Sequence, residues 1–219
     1  MTNSMEKNKS IGLNPRWQEI SPPPPKDSST NVPILDAADK LVARREELEA
    51  KVMIDELTGC WRRRYFYDFI AQEFDPNRDD GQIGIINLDI NDLKKINDDP
   101  KLGHQYGDAL IVNFVKYIKS QLRRGDEIIR VGGDEFIIVC RKGADDKDFN
   151  ENLKKRMQSI YLNSPQSDVD PTKNISFAYG VAVYDKKKDT NLVETGNRAD
   201  ALMYLHKSQV KNQKSKLKI

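Results

Sequence analysis

Two adjacent glycines followed by two carboxylates, set between runs of β-branched residues, constrain this chain more than any other feature. The stretch is Arg130-Val131-Gly132-Gly133-Asp134-Glu135-Phe136, with Ile128-Ile129 before it and Ile137-Ile138-Val139 after it. Short apolar runs joined by a Gly-containing connection predict a β-hairpin. The glycines are expected to turn the backbone with positive φ and to let a ligand approach without meeting a Cβ. Asp134 and Glu135 put two carboxylates at the tip, where a hard cation or a proton transfer can use them. An ordinary acidic hairpin would carry the same residues, so the tip alone does not decide a function.

The rest of the chain divides by composition. Residues 1–33 are polar and broken by Pro22-Pro23-Pro24-Pro25, which predicts a disordered N-terminal tail. In 34–54, Ile34, Ala38, Leu41, Leu48 and Val52 follow a four-three alternation, with Arg45 on one seam position. That predicts an amphipathic lead-in helix, open either to pairing two chains as a coiled coil or to packing on its own domain. Residues 55–213 form the folded domain, and 214–219 a basic C-terminal tail.

Within the domain, Phe66, Phe69, Ile70 and Phe74 recur at helical spacing and predict a core-facing aromatic stripe. Residues 83–88 read as a buried strand that ends at Asp89, and a carboxylate at the C-terminal end of such a strand suits a site better than a core. Asp89-Ile90-Asn91 opens like a calcium loop, but Lys94 and Pro100 stand where that loop needs Gly and Glu, so this reading is rejected. Ala109, Leu110, Val112, Val115 and Ile118 mark a helix, with His104 read as a structural residue near its start. Beyond the hairpin come a helix over 145–162, a loop over 164–174, a strand over 175–183 and a final helix from 192 to about 211. This order predicts an α+β fold, a mostly antiparallel sheet with helices around it.

Charge narrows the partners. The 36 basic and 34 acidic side chains leave a net charge of +2, which favours neither nucleic acid nor a membrane surface. No apolar run reaches the length of a membrane span or a signal peptide, so a cytoplasmic location is expected. Cys60 and Cys140 have no metal-site spacing and read as free thiols.

Four motifs then fall in order: Asp55-x-Leu57-Thr58-Gly59, Asp89-x-Asn91-x-x-Lys94-x-x-Asn97-Asp98, Gly103-His104-x-x-Gly107-Asp108 and Gly132-Gly133-Asp134-Glu135-Phe136. Together they resemble the GGDEF family of diguanylate cyclases, from Asp55 to about Lys211. The resemblance implies a domain like the palm of nucleotidyl cyclases and polymerases. It also implies condensation of two GTP into cyclic di-GMP, with release of pyrophosphate, at the interface of a homodimer. Mg2+ (or Mn2+) would be the cofactor, since attacking hydroxyl and leaving pyrophosphate both gain negative charge.

Carried residue by residue, the resemblance makes Asp89, Asp134 and the carbonyl of Ile90 metal ligands, with Glu135 beside the second metal. Asp134 also matches the family's proposed general base. Asn97 and Asp108 would read guanine, whose N1–H and N2–H2 donors suit a carboxylate. Lys94, Lys207 and Lys211 would contact phosphates, and Gly132 and Gly133 would let the hairpin approach them. Arg123 and Asp126 match the family's inhibitory product site, where Arg offers a planar fork and Asp an acceptor for guanine.

The chain departs from the family at several places. Cys60-Trp61-Arg62-Arg63 stands where Leu-x-Asn-Arg is usual, Leu93 replaces Phe, two residues are inserted between Asp98 and Gly103, and Lys211 replaces Arg. The alternative reading is a catalytically silent domain that serves as a cyclic di-GMP or GTP receptor. Intact Asp89, Asp134 and Glu135 favour the enzyme.

Overall fold

The computed structural model describes residues 39–42, 44, 53–144, 146–168 and 174–216, with side chains described as far as residue 212. The chain separates into two units, Met1–Arg44 and Arg45–Ile219. In the first, residues 39–42 and 44 are helical. The tail over 1–33, most of the lead-in helix over 34–54 and the last three residues of the basic tail lie outside the described residues.

The second unit holds a five-stranded sheet of β1 (Trp61–Arg62), β2 (Ile83–Ile90), β3 (Glu127–Arg130), β4 (Glu135–Arg141) and β5 (Phe177–Val183), in the order β1-β3-β4-β2-β5. All of β2 except Asn87 is buried, as a strand apolar on both faces requires when layers cover both sides. It pairs antiparallel with β4 from Ile83↔Arg141 to Asp89↔Glu135, and antiparallel with β5 from Gly84↔Val183 to Ile90↔Phe177. β3 and β4 form the expected hairpin. β1 runs parallel to β3, and its two residues are too few to show periodicity in sequence. The fold is α+β with a mostly antiparallel sheet, as expected.

Helices cover both faces. Leu93–Asn97 (α2), Gly103–Gln121 (α3) and Phe149–Leu162 (α4) pack over the face that carries Ile86, Leu88, Ile90, Phe136 and Ile138. There Phe114 contacts Phe136 at 5.4 Å and Phe177 at 5.2 Å between ring centroids, fastening the hairpin to α3. Each buried ring contributes about 2 kcal/mol in area terms. On the other face Ile85, Ile137 and Val139 meet Phe66, Leu192 and Ala199, from the helical stretch Arg63–Glu73 (α1) and from the last helix, Leu192–Lys216 (α5). Gly180 lets α5 approach closely: a Cβ there would lie 2.0 Å from the Ala199 carbonyl oxygen and 2.3 Å from the Met203 nitrogen.

Three local details stand out. The stretch Arg63–Glu73 is α-helical only at its ends, with a π turn over Phe66–Ile70. That wider turn breaks the regular spacing, so Phe66 and Ile70 are core while Phe69 is half-buried and stacks on Tyr65, itself 4.0 Å from Trp61. Next, α3 begins at Gly103, ahead of the apolar positions from Ala109 onward that mark it in sequence, and His104 stands in its first turn. The inserted residues before it close as a turn, the Asp99 carbonyl accepting from the N–H groups of Leu102 (3.1 Å) and Gly103 (2.9 Å). Finally, α5 continues to Lys216, past the helix end expected at about 211. Cys60 and Cys140 are buried, free thiols. Among the described residues no helix is long and apolar enough to cross a membrane.

Candidate active site

The register of β2 against β4 builds the site. Asp89 is the direct partner of Glu135, so two carboxylates stand opposite each other at one end of the ladder. The Ile90 N–H donates to the Asp134 carbonyl at 2.9 Å, which fixes the hairpin tip against the end of β2. Asp89, Ile90, Asp134 and Glu135 are thereby brought together. Like charges set directly opposite in a sheet destabilise it unless something offsets them. Part of the offset is Lys207 of α5, whose Nζ donates to Asp89 Oδ2 at 2.6 Å.

Asp89 is 4% exposed, and its second oxygen, Oδ1, is buried without a hydrogen-bond partner. Burial pushes its pKa up, and nearby Asp134 adds to this against the opposing pull of Lys207 and Lys211. Glu135 is also raised, first by desolvation and then by the charges of Asp134, Asp89 and Asp200. A bare carboxylate oxygen among crowded carboxylates suits a hard cation with oxygen ligands, such as Mg2+ or Mn2+. Among the described residues no three His, Cys, Asp or Glu side chains converge into a ready-made cage.

The glycines of the tip act differently from expectation. Positive φ occurs at Gly59, Gly81, Gly103 and Gly125, not at Gly132 or Gly133. The four-residue connection Val131–Asp134 turns without it, the Val131 and Gly132 N–H groups both donating to the Glu135 carbonyl. What the glycines supply is room. A Cβ on Gly132 would crowd Glu135 Oε2 at 2.9 Å, and one on Gly133 would meet nothing within 4 Å.

The other expected residues fall into two groups. Asn97, at the end of α2, packs on Gly107 of α3 so closely that a Cβ there would lie 1.9 Å from its Oδ1. That Oδ1 is buried and unpartnered, and exposed Asp108 follows Gly107 in sequence. A buried acceptor without a donor can take an N–H group, and so can an exposed carboxylate. Lys94 is exposed at the start of α2, and Lys211 is exposed one helical turn beyond Lys207. On the opposite side, a cleft of about 290 Å3 lies behind Glu135, bordered by Arg63, Tyr67, Asn87, Asn197 and Asp200.

Arg123 and Asp126 lie apart from these, at the turn into β3. The Asp126 side chain is 3% exposed and accepts from Arg156 Nη2 at 2.9 Å and from the Arg123 N–H at 3.0 Å. The Arg123 side chain is 62% exposed and its guanidinium lies 3.9 Å from Asp146, above a shallow depression that Asn152 and Lys155 also border. Sequence reading missed Arg156, which sits in a basic helical run with nothing to distinguish it. It also missed Arg130, whose guanidinium donates to the Gly133 carbonyl at 2.9 Å and to the Gly132 carbonyl at 3.2 Å.

The family profile described as "Diguanylate cyclase, GGDEF domain" matches residues 52–213. The chain belongs to the GGDEF family. Diguanylate cyclase TpbB of Pseudomonas aeruginosa is 32% identical over 161 residues, which are 72% of this chain and 35% of TpbB. The chain thus spans about a third of the length of that relative. The solved GGDEF domain of TpbB superposes with a TM-score of 0.58 at 28% identity, covering 71% of this chain and 89% of that one. A microbial GGDEF domain solved in a study of its interaction with cyclic di-GMP gives a TM-score of 0.55 at 27% identity, covering 74% and 94%. Within the GGDEF domain of this chain, the motif that names the family is the β3–β4 connection with the first residues of β4.

Proposed function

We propose that this GGDEF domain is an Mg2+-dependent diguanylate cyclase, which condenses two GTP into cyclic di-GMP and releases two pyrophosphates across a homodimer. The observation that carries this reading is the Asp89↔Glu135 register pair beside Asp134, with Lys207 against it. A divalent cation bound there neutralises charge that develops on the attacking and leaving oxygens. Asp89, the Ile90 carbonyl, Asp134 and Glu135 would hold it. Asp134 stands at the tip to accept the proton of a 3′-hydroxyl. Lys94, Lys207 and Lys211 bind phosphate oxygens, and Gly133 leaves the hairpin bare toward them. Asn97 and Asp108 hold guanine, and two subunits are needed because each GTP attacks the other's α-phosphate. Product inhibition through Arg123 and Asp126 belongs to the same reading: the Arg123 side chain is open to solvent, whereas the Asp126 carboxylate is buried against Arg156 and would have to leave it to meet guanine.

The test is incubation of the purified chain with Mg2+ and GTP, with a GTP-plus-ATP mixture alongside, and mass spectrometry of the nucleotides. Cyclic di-GMP from wild type, absent with Asp134→Ala or Glu135→Ala, is the expected result. A variant that retained normal product formation would overturn the metal assignment. A mixed cyclic product would overturn the role of Asp108. No product, with cyclic di-GMP binding that depends on Arg123, would make the domain a receptor.

A further inference from the structure

We propose that Lys207 is the resident counter-ion of the cation site, and that it keeps divalent metal out until a nucleoside triphosphate draws its ammonium away. This rests on the reading of Asp89 as a metal ligand. Asp89 is buried, sits opposite Glu135 and leaves Oδ1 bare, so the protein without ligands has excess negative charge at this point. Burying an uncompensated carboxylate is costly, and the 2.6 Å bond from Lys207 is the compensation on hand. An ammonium and a divalent cation on the same carboxylate repel each other strongly at such separations. Metal alone must therefore displace Lys207 without bringing a phosphate oxygen for it to move to.

A triphosphate changes that balance. Lys207 is a point charge on a flexible four-carbon stem, 28% exposed, and it can exchange Asp89 for a phosphate oxygen without moving α5. Lys211 lies one turn further along α5 and already acts on the charge of Asp89, so the phosphates are met by two ammoniums on one helix. Metal and nucleotide then bind together, because each removes the charge that the other would leave unpaired. The expected consequence is thermodynamic coupling between the two ligands, of which Lys207 is the physical carrier.

The experiment measures Mn2+ binding to the full chain by electron paramagnetic resonance, with and without a non-hydrolysable GTP analogue. In wild type, Mn2+ alone binds weakly and the analogue tightens it. Lys207→Gln is expected to bind Mn2+ alone about tenfold more tightly than wild type, with the effect of the analogue reduced by the same factor. Lys207→Arg, which keeps the charge, should behave as wild type. Wild type that binds Mn2+ equally well with and without the analogue overturns the proposal, whatever the variants do. So does a folded Lys207→Gln protein with unchanged or weaker Mn2+ binding, provided Asp89→Asn abolishes binding with the analogue present. If Asp89→Asn instead leaves that binding intact, the metal-site reading falls and takes the proposal with it.

Discussion

Arg130 Nη1 lies 3.0 Å from Asp55 Oδ1, and through this pair the turn that opens the domain is tied to the hairpin that names its family. The same Oδ1 accepts from the Thr58 N–H at 3.0 Å and its hydroxyl at 2.6 Å, so one carboxylate orders the Asp55–Gly59 turn and receives the arginine. Arg130 meanwhile holds the Gly132 and Gly133 carbonyls. Any displacement of Asp55 is therefore felt at the carbonyls of the tip beside Asp134.

Arg130→Met should destabilise the domain by about 2–3 kcal/mol, since it leaves a largely buried carboxylate without its cation. Urea unfolding measures this. Asp55 predicts the pH dependence. Burial pushes its pKa up, but Thr58 and Arg130 together outweigh burial and hold it below the ordinary 3.8. An acid whose pKa is lower in the folded state adds stability above the unfolded value and loses it as pH falls through the folded one. Wild type should therefore lose more stability than Asp55→Asn as pH drops below about 4. Parallel stability curves for the two proteins would remove Asp55 from the account.

Gly107→Ala aims at base recognition. The added Cβ would overlap Asn97 Oδ1, a side-chain end that can swing away at little cost to the fold. With Asn97 displaced, KM for GTP should rise about tenfold, the size of one lost hydrogen bond. The melting temperature should barely move. An unchanged KM would mean that Asn97 does not touch the base.

At Gly180 the same substitution should act on stability. A Cβ there meets backbone atoms of α5, which cannot rotate aside, so α5 must lift from β5. Gly180→Ala should cost more than about 2 kcal/mol. Because α5 carries Lys207, product formation should fall even under conditions where the variant is fully folded.

Arg123→Ala and Arg156→Met separate inhibition from structure. Arg123 is mostly exposed, and its loss should leave initial rates intact while relieving inhibition by added cyclic di-GMP. An unchanged inhibition curve would take the product site elsewhere. Arg156→Met should instead destabilise by about 3 kcal/mol, because Asp126 would lose its buried partner. The added substitution Asp126→Asn should recover much of that loss, a coupling that a double-mutant cycle reads directly.

Much of this fold was legible in sequence because its strands alternate or run apolar without interruption. β2, the hairpin and the inner face of α4 were placed by that patterning. β1 was not, since two residues carry no period, and neither was the π turn, which breaks the spacing that made Phe66 to Phe74 look uniform. Within the site, the motifs named Asp89, Asn97, Asp108 and Asp134 through resemblance. They could not show that Lys207 bonds Asp89, for the two stand 118 positions apart. Nor does a pattern separate Arg130 and Arg156 from other basic residues. Only the folded chain shows that each is the counter-ion of one buried acid.

The double pairing of β2 has a consequence for how the domain comes apart. From Gly84 to Asp89 each residue has a ladder partner on both sides. Local opening of this strand means parting two ladders and two apolar layers together, so its amides should exchange with solvent near the global limit. The carboxylate end of β2 thus belongs to the last cooperative unit to unfold, whereas α2 and the inserted turn, which would carry the base-reading edge under the proposed function, are short and largely exposed. Under mild destabilisation the domain should lose discrimination between nucleotides before it loses its grip on charge.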